Sequence, residues 1–190
     1  MDACMGRFSP DPGPTPDAEL VEAMGRGDVS AFEELYQRHR DWVYRLAWRF
    51  TRNAPDALDV LQETFTYLLQ KAPRLQLWVR LSTFLYPVVK NAAITLRRRR
   101  GRAVAMEAVP EPVAPPSAGP RSSELGDLAA VLRVLPEPHR EVLLMRVVDD
   151  MTLEEIALAL DIPLGTVKSR LHNALAKLRE DERTREYFSE

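Results

Sequence analysis

Apolar residues recur at spacings of three and four along most of the chain, and no strand-like alternation persists over a useful length. A short amphipathic helix is expected from Asp17 to about Gly25. Ser30 or a near neighbour is expected to cap a longer one, AFEELYQRHRDWVYRLAWRFTR, whose stripe is Phe32, Leu35, Tyr36, Val43, Leu46, Ala47 and Phe50. Pro55 suits a first helical turn, and Asp56 to Lys71 continues from it. In that helix Leu58, Leu61, Phe65, Leu68 and Leu69 are expected to be buried, while Asp56, Asp59, Gln62 and Glu63 form a polar, acidic face.

Residues 72–82 break the period, and TFLYPVVKNAAITLRRRR follows, apolar at first and then steeply basic. Pro87 within it lacks an amide donor, so it should kink a helix or mark its first turn. Residues 101–123 are rich in proline and without periodicity, which predicts a flexible linker. Beyond it, Ser122 or Ser123 can cap a second set of helices at about 124–135, 138–148, 152–160 and 165–180. The pattern therefore predicts an all-α chain of two small helical domains: a disordered tail over 1–16, one domain over 17–100, the linker, a second domain over 124–180 and an acidic tail over 181–190.

The sharpest local signal lies at 152–178, TLEEIALALDIPLGTVKSRLHNALAKLR. Thr152 and Glu155 have the spacing of a capping box, and Ile156, Ala157 and Leu160 share a face of the helix that follows. Asp161-Ile162-Pro163 ends it, aspartate being one of the few residues that tolerate the left-handed conformation of a tight turn. A second helix then carries Val167, Leu171, Leu175 and Leu178 inward and a polar, basic set outward. That is a helix-turn-helix whose second helix suits a major groove. Lys168, Arg170 and Asn173 can pair with base edges or phosphates, Ser169 and His172 can add single hydrogen bonds, and Thr166 sits near the helix start, where free amides favour anions.

Composition changes this picture only in detail. The 190 residues have a formal net charge of −2, which by itself does not describe a nucleic-acid binder. The distribution does: RRRRGR at 97–102 holds five positive charges and no negative one, whereas EDERTREYFSE at 180–190 holds five acids against two arginines, and the two largely cancel in the sum. Cys4 is the only cysteine, so neither an intrachain disulfide nor a cysteine-based zinc site is available, and His39, His139 and His172 are scattered. No metal, no cofactor and no catalytic constellation is expected. No stretch reads as a membrane span or as a signal peptide, which makes the cytoplasm the expected location.

Both halves resemble one family, the bacterial RNA polymerase sigma factors of the extracytoplasmic-function (ECF) type. DALDVLQETF resembles its polymerase-binding helix, with Asp59, Gln62, Glu63 and Phe65 matching a DxxQExF pattern. FLYPVVKNAAITLRRRR resembles its promoter-melting and −10 helix through Leu85, Tyr86, Asn91, Ala93 and the arginine run. LPEPHREVLLMRVVDDMTLEEIALALDIPLGTVKSRLHNALAKLRE resembles its −35-binding domain almost throughout. Phe84, Pro87, Thr95, Asp161 and Asn173 depart from the residues common in the family.

The resemblance implies a non-enzymatic chain with core RNA polymerase, promoter DNA and an anti-sigma factor as partners. It implies polymerase contact through Asp56, Asp59, Gln62, Glu63 and Phe65, and −10 and melting contacts through Trp78, Arg80, Lys90, Asn91, Arg97 and Arg98. Trp78 would stack on an unpaired base while the cations and Asn91 hold phosphate or base edges. Thr166, Lys168, Ser169, Arg170, His172 and Asn173 would meet the −35 duplex. The alternatives are a helix-turn-helix regulator acting without polymerase, for which the acidic DALDVLQE helix has no use, and a sigma mimic that titrates an anti-sigma factor, against which the basic helices argue.

Overall fold

The computed structural model describes residues 16–104 and 132–181. The expected N-terminal tail up to residue 15, the linker from residue 105 on, the helix at 124–135 up to residue 131 with its caps Ser122 and Ser123, and the acidic tail from residue 182 lie outside the described residues. The described residues are helices and connecting segments without strands, in two compact units.

The first unit holds α1 (Pro16–Gly25), α2 (Val29–Thr51), α3 (Ala54–Lys71), a 3-10 turn (Ala72–Arg74) and α4 (Leu81–Val104). Asp28, not Ser30, caps α2. Its Oδ1 accepts from the Ser30 amide at 2.9 Å and the Ala31 amide at 3.3 Å, a reach that a residue already inside the helix does not have. Asn53 caps α3 by accepting from the Asp56 amide at 3.2 Å, with Pro55 in the first turn as expected. The core joins Leu35, Val43 and Leu46 of α2, Val60, Leu61, Phe65 and Leu68 of α3, and Leu81, Leu85, Tyr86, Val89 and Ala93 of α4. Thr64 also enters it, its hydroxyl donating to the Val60 carbonyl at 2.7 Å.

Two expectations for α3 are corrected. Leu58 and Leu69 are exposed, because Ala57, Val60, Thr64 and Leu68 are the residues that line up with Leu61 on the inner face. Asp56 is buried rather than part of the outer acidic face. Pro87 lies in the second turn of α4, past the first-turn position, and the helix continues beyond it through Val104, four residues past the expected boundary at Arg100. Thr83, whose carbonyl would have met the missing amide, is buried and its Oγ1 has no hydrogen-bond partner.

The second unit holds a helical segment at 132–134, α5 (Glu137–Val147), α6 (Leu153–Leu160) and α7 (Leu164–Glu180). Leu135, Leu143, Ala174 and Leu178 form a core cluster over which Leu132, Leu171 and Leu175 pack. The capping box closes in both directions: the Thr152 amide donates to Glu155 Oε2 at 2.8 Å, and the Glu155 amide to Thr152 Oγ1 at 3.1 Å. Asp161 adopts φ 53°, ψ 49°, and its amide and that of Ile162 close onto the last carbonyls of α6. Ala159 is the small buried residue of α6, while Ala157 is only half-buried.

Candidate nucleic-acid and polymerase surfaces

On α3, Leu58, Asp59, Gln62, Glu63 and Leu69 are all exposed, and the 3.6-residue period places them on one outer stripe. The face is therefore acidic and apolar together. Leu58 and Leu69 were missed from sequence because each is a hydrophobe flanked by others; only the phase set by Val60 and Thr64 separates them. Phe65 stands beneath this face, its ring edge-on to Tyr36 with centroids 4.8 Å apart, so it supports the stripe from the core. Asp56 is 5% exposed, and Oδ1 lies 2.7 Å from Arg100 Nη2 without the alignment of a hydrogen bond. Burial pushes its carboxyl above the usual aspartate range, against the opposing pull of the Arg100 charge, and Asp59 adds to the rise.

The 3-10 turn leads into a loop over 75–80 whose Trp78 is 65% exposed, far from the burial expected of a packing tryptophan. One side of the loop opens on a cavity of about 550 Å³ lined by Glu19, Glu22 and Arg26 of α1 and by Arg74, Leu77 and Trp78. Gly25 makes this contact between α1 and the turn possible: a Cβ there would stand 2.6 Å from the Ala72 carbonyl oxygen. Asp17 fixes the other end of α1, with Oδ2 2.9 Å from His39 Nε2 and Oδ1 3.1 Å from Arg38 Nη1. The hydrogen bond to His39, more than any other influence, holds the Asp17 carboxyl below the usual range. Arg80 is exposed and its carbonyl receives the first amides of α4, from Thr83 at 3.0 Å and Phe84 at 3.2 Å.

Along α4, Phe84, Pro87, Asn91, Thr95 and Arg98 follow one another at three and four, from half-buried to exposed. Lys90 is half-buried at the side of this stripe. Phe84 stacks on Tyr67 with centroids 6.4 Å apart, and Lys71 Nζ stands 5.5 Å from the Tyr67 ring centre. Neither Tyr67 nor Lys71 was expected at the site. Their i, i+4 spacing on α3 was visible, but not the approach of α4. The arginine run is split. Arg97 Nη1 donates to the Phe50 carbonyl at the end of α2 at 3.5 Å and Arg100 meets Asp56, whereas the wheel turns Arg98 outward.

On α7, Lys168, Ser169, His172 and Asn173 are exposed and form its outer face with Gly165. The Ser169 hydroxyl donates to the Thr166 carbonyl at 3.0 Å, which leaves its oxygen as an acceptor. Arg170 is half-buried, at the edge of the face beside Val167 and Ala174. Thr166 is half-buried as well, and its amide bonds the Pro163 carbonyl at 2.9 Å, so the first amides of the helix are those of Leu164 and Gly165 beside it.

Two family models match, sigma-70 region 2 over residues 35–103 and sigma-70 region 4 over residues 131–180. The ECF RNA polymerase sigma factor SigE of Mycolicibacterium smegmatis is 34% identical over 179 residues, which cover 90% of this chain and 69% of that protein. The RNA polymerase sigma-E factor of Streptomyces avermitilis is 33% identical over 169 residues, covering 86% and 91%. The chain belongs to the ECF group of RNA polymerase sigma factors.

As a sigma factor it directs core RNA polymerase to promoters, and its family is one of regulatory rather than enzymatic proteins. Solved structures agree on the fold. The sigma factor RpoE bound to the anti-sigma factor NepR from Bartonella quintana aligns with TM-score 0.64 at 24% identity, over 80% of this chain and 96% of that one. CnrH in complex with the cytosolic domain of CnrY aligns with TM-score 0.63 at 24% identity, over 85% and 93%. Among the described residues no helix of the sigma factor is long and apolar enough to cross a membrane.

Proposed function

We propose that the sigma factor divides its work among three surfaces: the outer stripe of α3 binds core polymerase, the Trp78 loop with the outer stripe of α4 engages the −10 element, and α7 reads the −35 element. The observation that carries this reading is the outer stripe of α3, where Asp59, Gln62 and Glu63 are exposed beside Leu58 and Leu69. Carboxylates give orientation and on-rate toward a basic partner, while exposed leucines give area to bury. Phe65 serves that surface from beneath.

The cavity beside Trp78 is a place for an unpaired base, with the indole as stacking platform and Arg74 and Arg80 as neighbouring cations, Arg26 being paired with Glu22 at 2.6 Å. Asn91 and Arg98 continue the track along α4, and Lys90 and Arg97 flank it. On α7, Lys168, His172 and Asn173 face base edges, Ser169 accepts a hydrogen bond, and Arg170 and Thr166 meet the backbone at the rim. The domains divide as region 2 over 17–104 and region 4 over 124–180, with a linker between them. Polymerase supplies all the chemistry, the chain works in the cytoplasm without a cofactor, and an anti-sigma factor is its further partner, as NepR is for the Bartonella protein.

The test is a charge reversal. Asp59→Lys with Glu63→Lys places like charges against the partner and should weaken binding to core polymerase roughly tenfold or more, with helicity unchanged. Undiminished co-purification of that variant with core would remove the assignment.

A further inference from the structure

The four consecutive arginines at 97–100 are chemically equal, but the helix that carries them does not treat them equally. The inner stripe of α4 runs Leu85, Val89, Ala93 and Leu96, and its next position is Arg100. The outer stripe runs Asn91 and Thr95, and its next position is Arg98. The Arg100 side chain is 51% exposed, and its guanidinium meets Asp56, in the first turn of α3, whose side chain is 7% exposed and whose Oδ1 lies 2.7 Å from Arg100 Nη2. Without that carboxylate a cation would point at the positive end of a helix, which is unfavourable. Arg97, three residues back, rests against the Phe50 carbonyl at the opposite, negative end of α2. The basic end of α4 is thus tied to two other helices through two of its arginines.

We infer that Asp56 is a positioning residue for promoter DNA: through Arg100 it docks the basic end of α4 so that the Asn91, Thr95 and Arg98 stripe faces the nucleic acid, and Arg100 itself neutralises no phosphate. The inference rests on the reading of α4 as a DNA-facing helix. It gives Asp56 a role different from polymerase contact, for which its burial unfits it. The ion pair is held at a cost, since burial raises the Asp56 carboxyl in spite of the arginine beside it. A carboxylate whose folded value is raised favours the fold at low pH and opposes it once ionised.

The experiment uses holoenzyme reconstituted from core polymerase and full-length chain, on a promoter fragment that the parent holoenzyme selects from a random-sequence library. Affinity is measured across a series of salt concentrations. Arg98→Gln should make the slope of log affinity against log salt shallower by about 0.7 to 0.9, the loss of one phosphate contact. Arg100→Gln should weaken binding about fivefold at every salt concentration with the slope unchanged, and Asp56→Asn should weaken it to a similar degree. The double variant should be no weaker than either single one, because both remove the same pair. Core binding should be intact in all of them.

A shallower slope for Arg100→Gln, matching that of Arg98→Gln, would overturn the inference by making Arg100 a DNA contact. So would tighter DNA binding by Asp56→Asn, which would make the carboxylate a competitor of phosphate, and so would lost core binding by that variant. An unchanged slope for Arg98→Gln would instead remove the DNA-facing reading of α4, and the inference with it. Should Asp56→Asn fail to fold, the contrast between Arg98→Gln and Arg100→Gln, both at exposed positions, still decides.

Discussion

At the scale of single residues, two backbone positions carry more than their side chains suggest. Gly25 is where α1 touches the turn at Ala72, and the only room for a Cβ lies 2.6 Å from a carbonyl oxygen and 3.0 Å from its carbon. Backbone cannot swing aside as a flexible side chain would. Gly25→Ala is therefore expected to destabilise the first unit by about 1 to 3 kcal/mol and to change the emission of Trp78, read by thermal denaturation and fluorescence. At Gly27, by contrast, nothing stands within 4 Å, and an alanine there meets only the penalty of φ +94°. Asp161 holds φ 53° between α6 and α7. Asp161→Ala should destabilise the second unit by roughly 1 kcal/mol and Asp161→Gly should not, a difference that thermal unfolding of the two variants reveals.

At the scale of elements, caps and clamps set how the helices are presented. Thr152→Ala removes one arm of the capping box and should cost about 1 kcal/mol of stability in thermal unfolding. Asp17 joins α1 to His39 and Arg38 of α2. Its folded pKa is lowered, so the stability it supplies is fully present above the ordinary aspartate value of about 4 and is lost as pH falls through the lowered folded value. The parent should therefore unfold at a higher temperature than Asp17→Asn at pH 6, and the gap should close toward pH 3. An equal gap at both pH values would show that the contact is one of packing alone.

The elements themselves were largely legible in the sequence. The period placed α2, α3, α6 and α7 to within a few residues, and the capping box and the left-handed Asp161 were readable as local chemistry. What the sequence hid were facts of tertiary phase. Leu58 and Leu69 look like core until Val60 and Thr64 fix the rotation of α3, and Asp56 looks like surface until Arg100 reaches it from α4. In the same way Arg170 looked like a free reader, but the rotation that buries Val167 and Ala174 brings it to the edge of the outer face. The cavity beside Trp78 depends on α1 and a turn some fifty residues apart in the chain, which no local pattern reports.

At the scale of the whole molecule, a near-neutral chain carries an acidic, leucine-bearing face on one helix and basic or polar outer faces on two others. On the proposed reading, one surface serves the polymerase and the others DNA. Membership of the ECF sigma factors is what separates this chain from a regulator acting without polymerase. The direct measurement is transcription by reconstituted holoenzyme on promoter fragments selected from a random-sequence library, with core polymerase alone and with the Asp59→Lys, Glu63→Lys variant beside it. The expected result is transcripts with discrete start points that require the chain and are lost with the charge reversal. Fragments bound by the chain without core, or no chain-dependent start points on any selected fragment, would contradict the account.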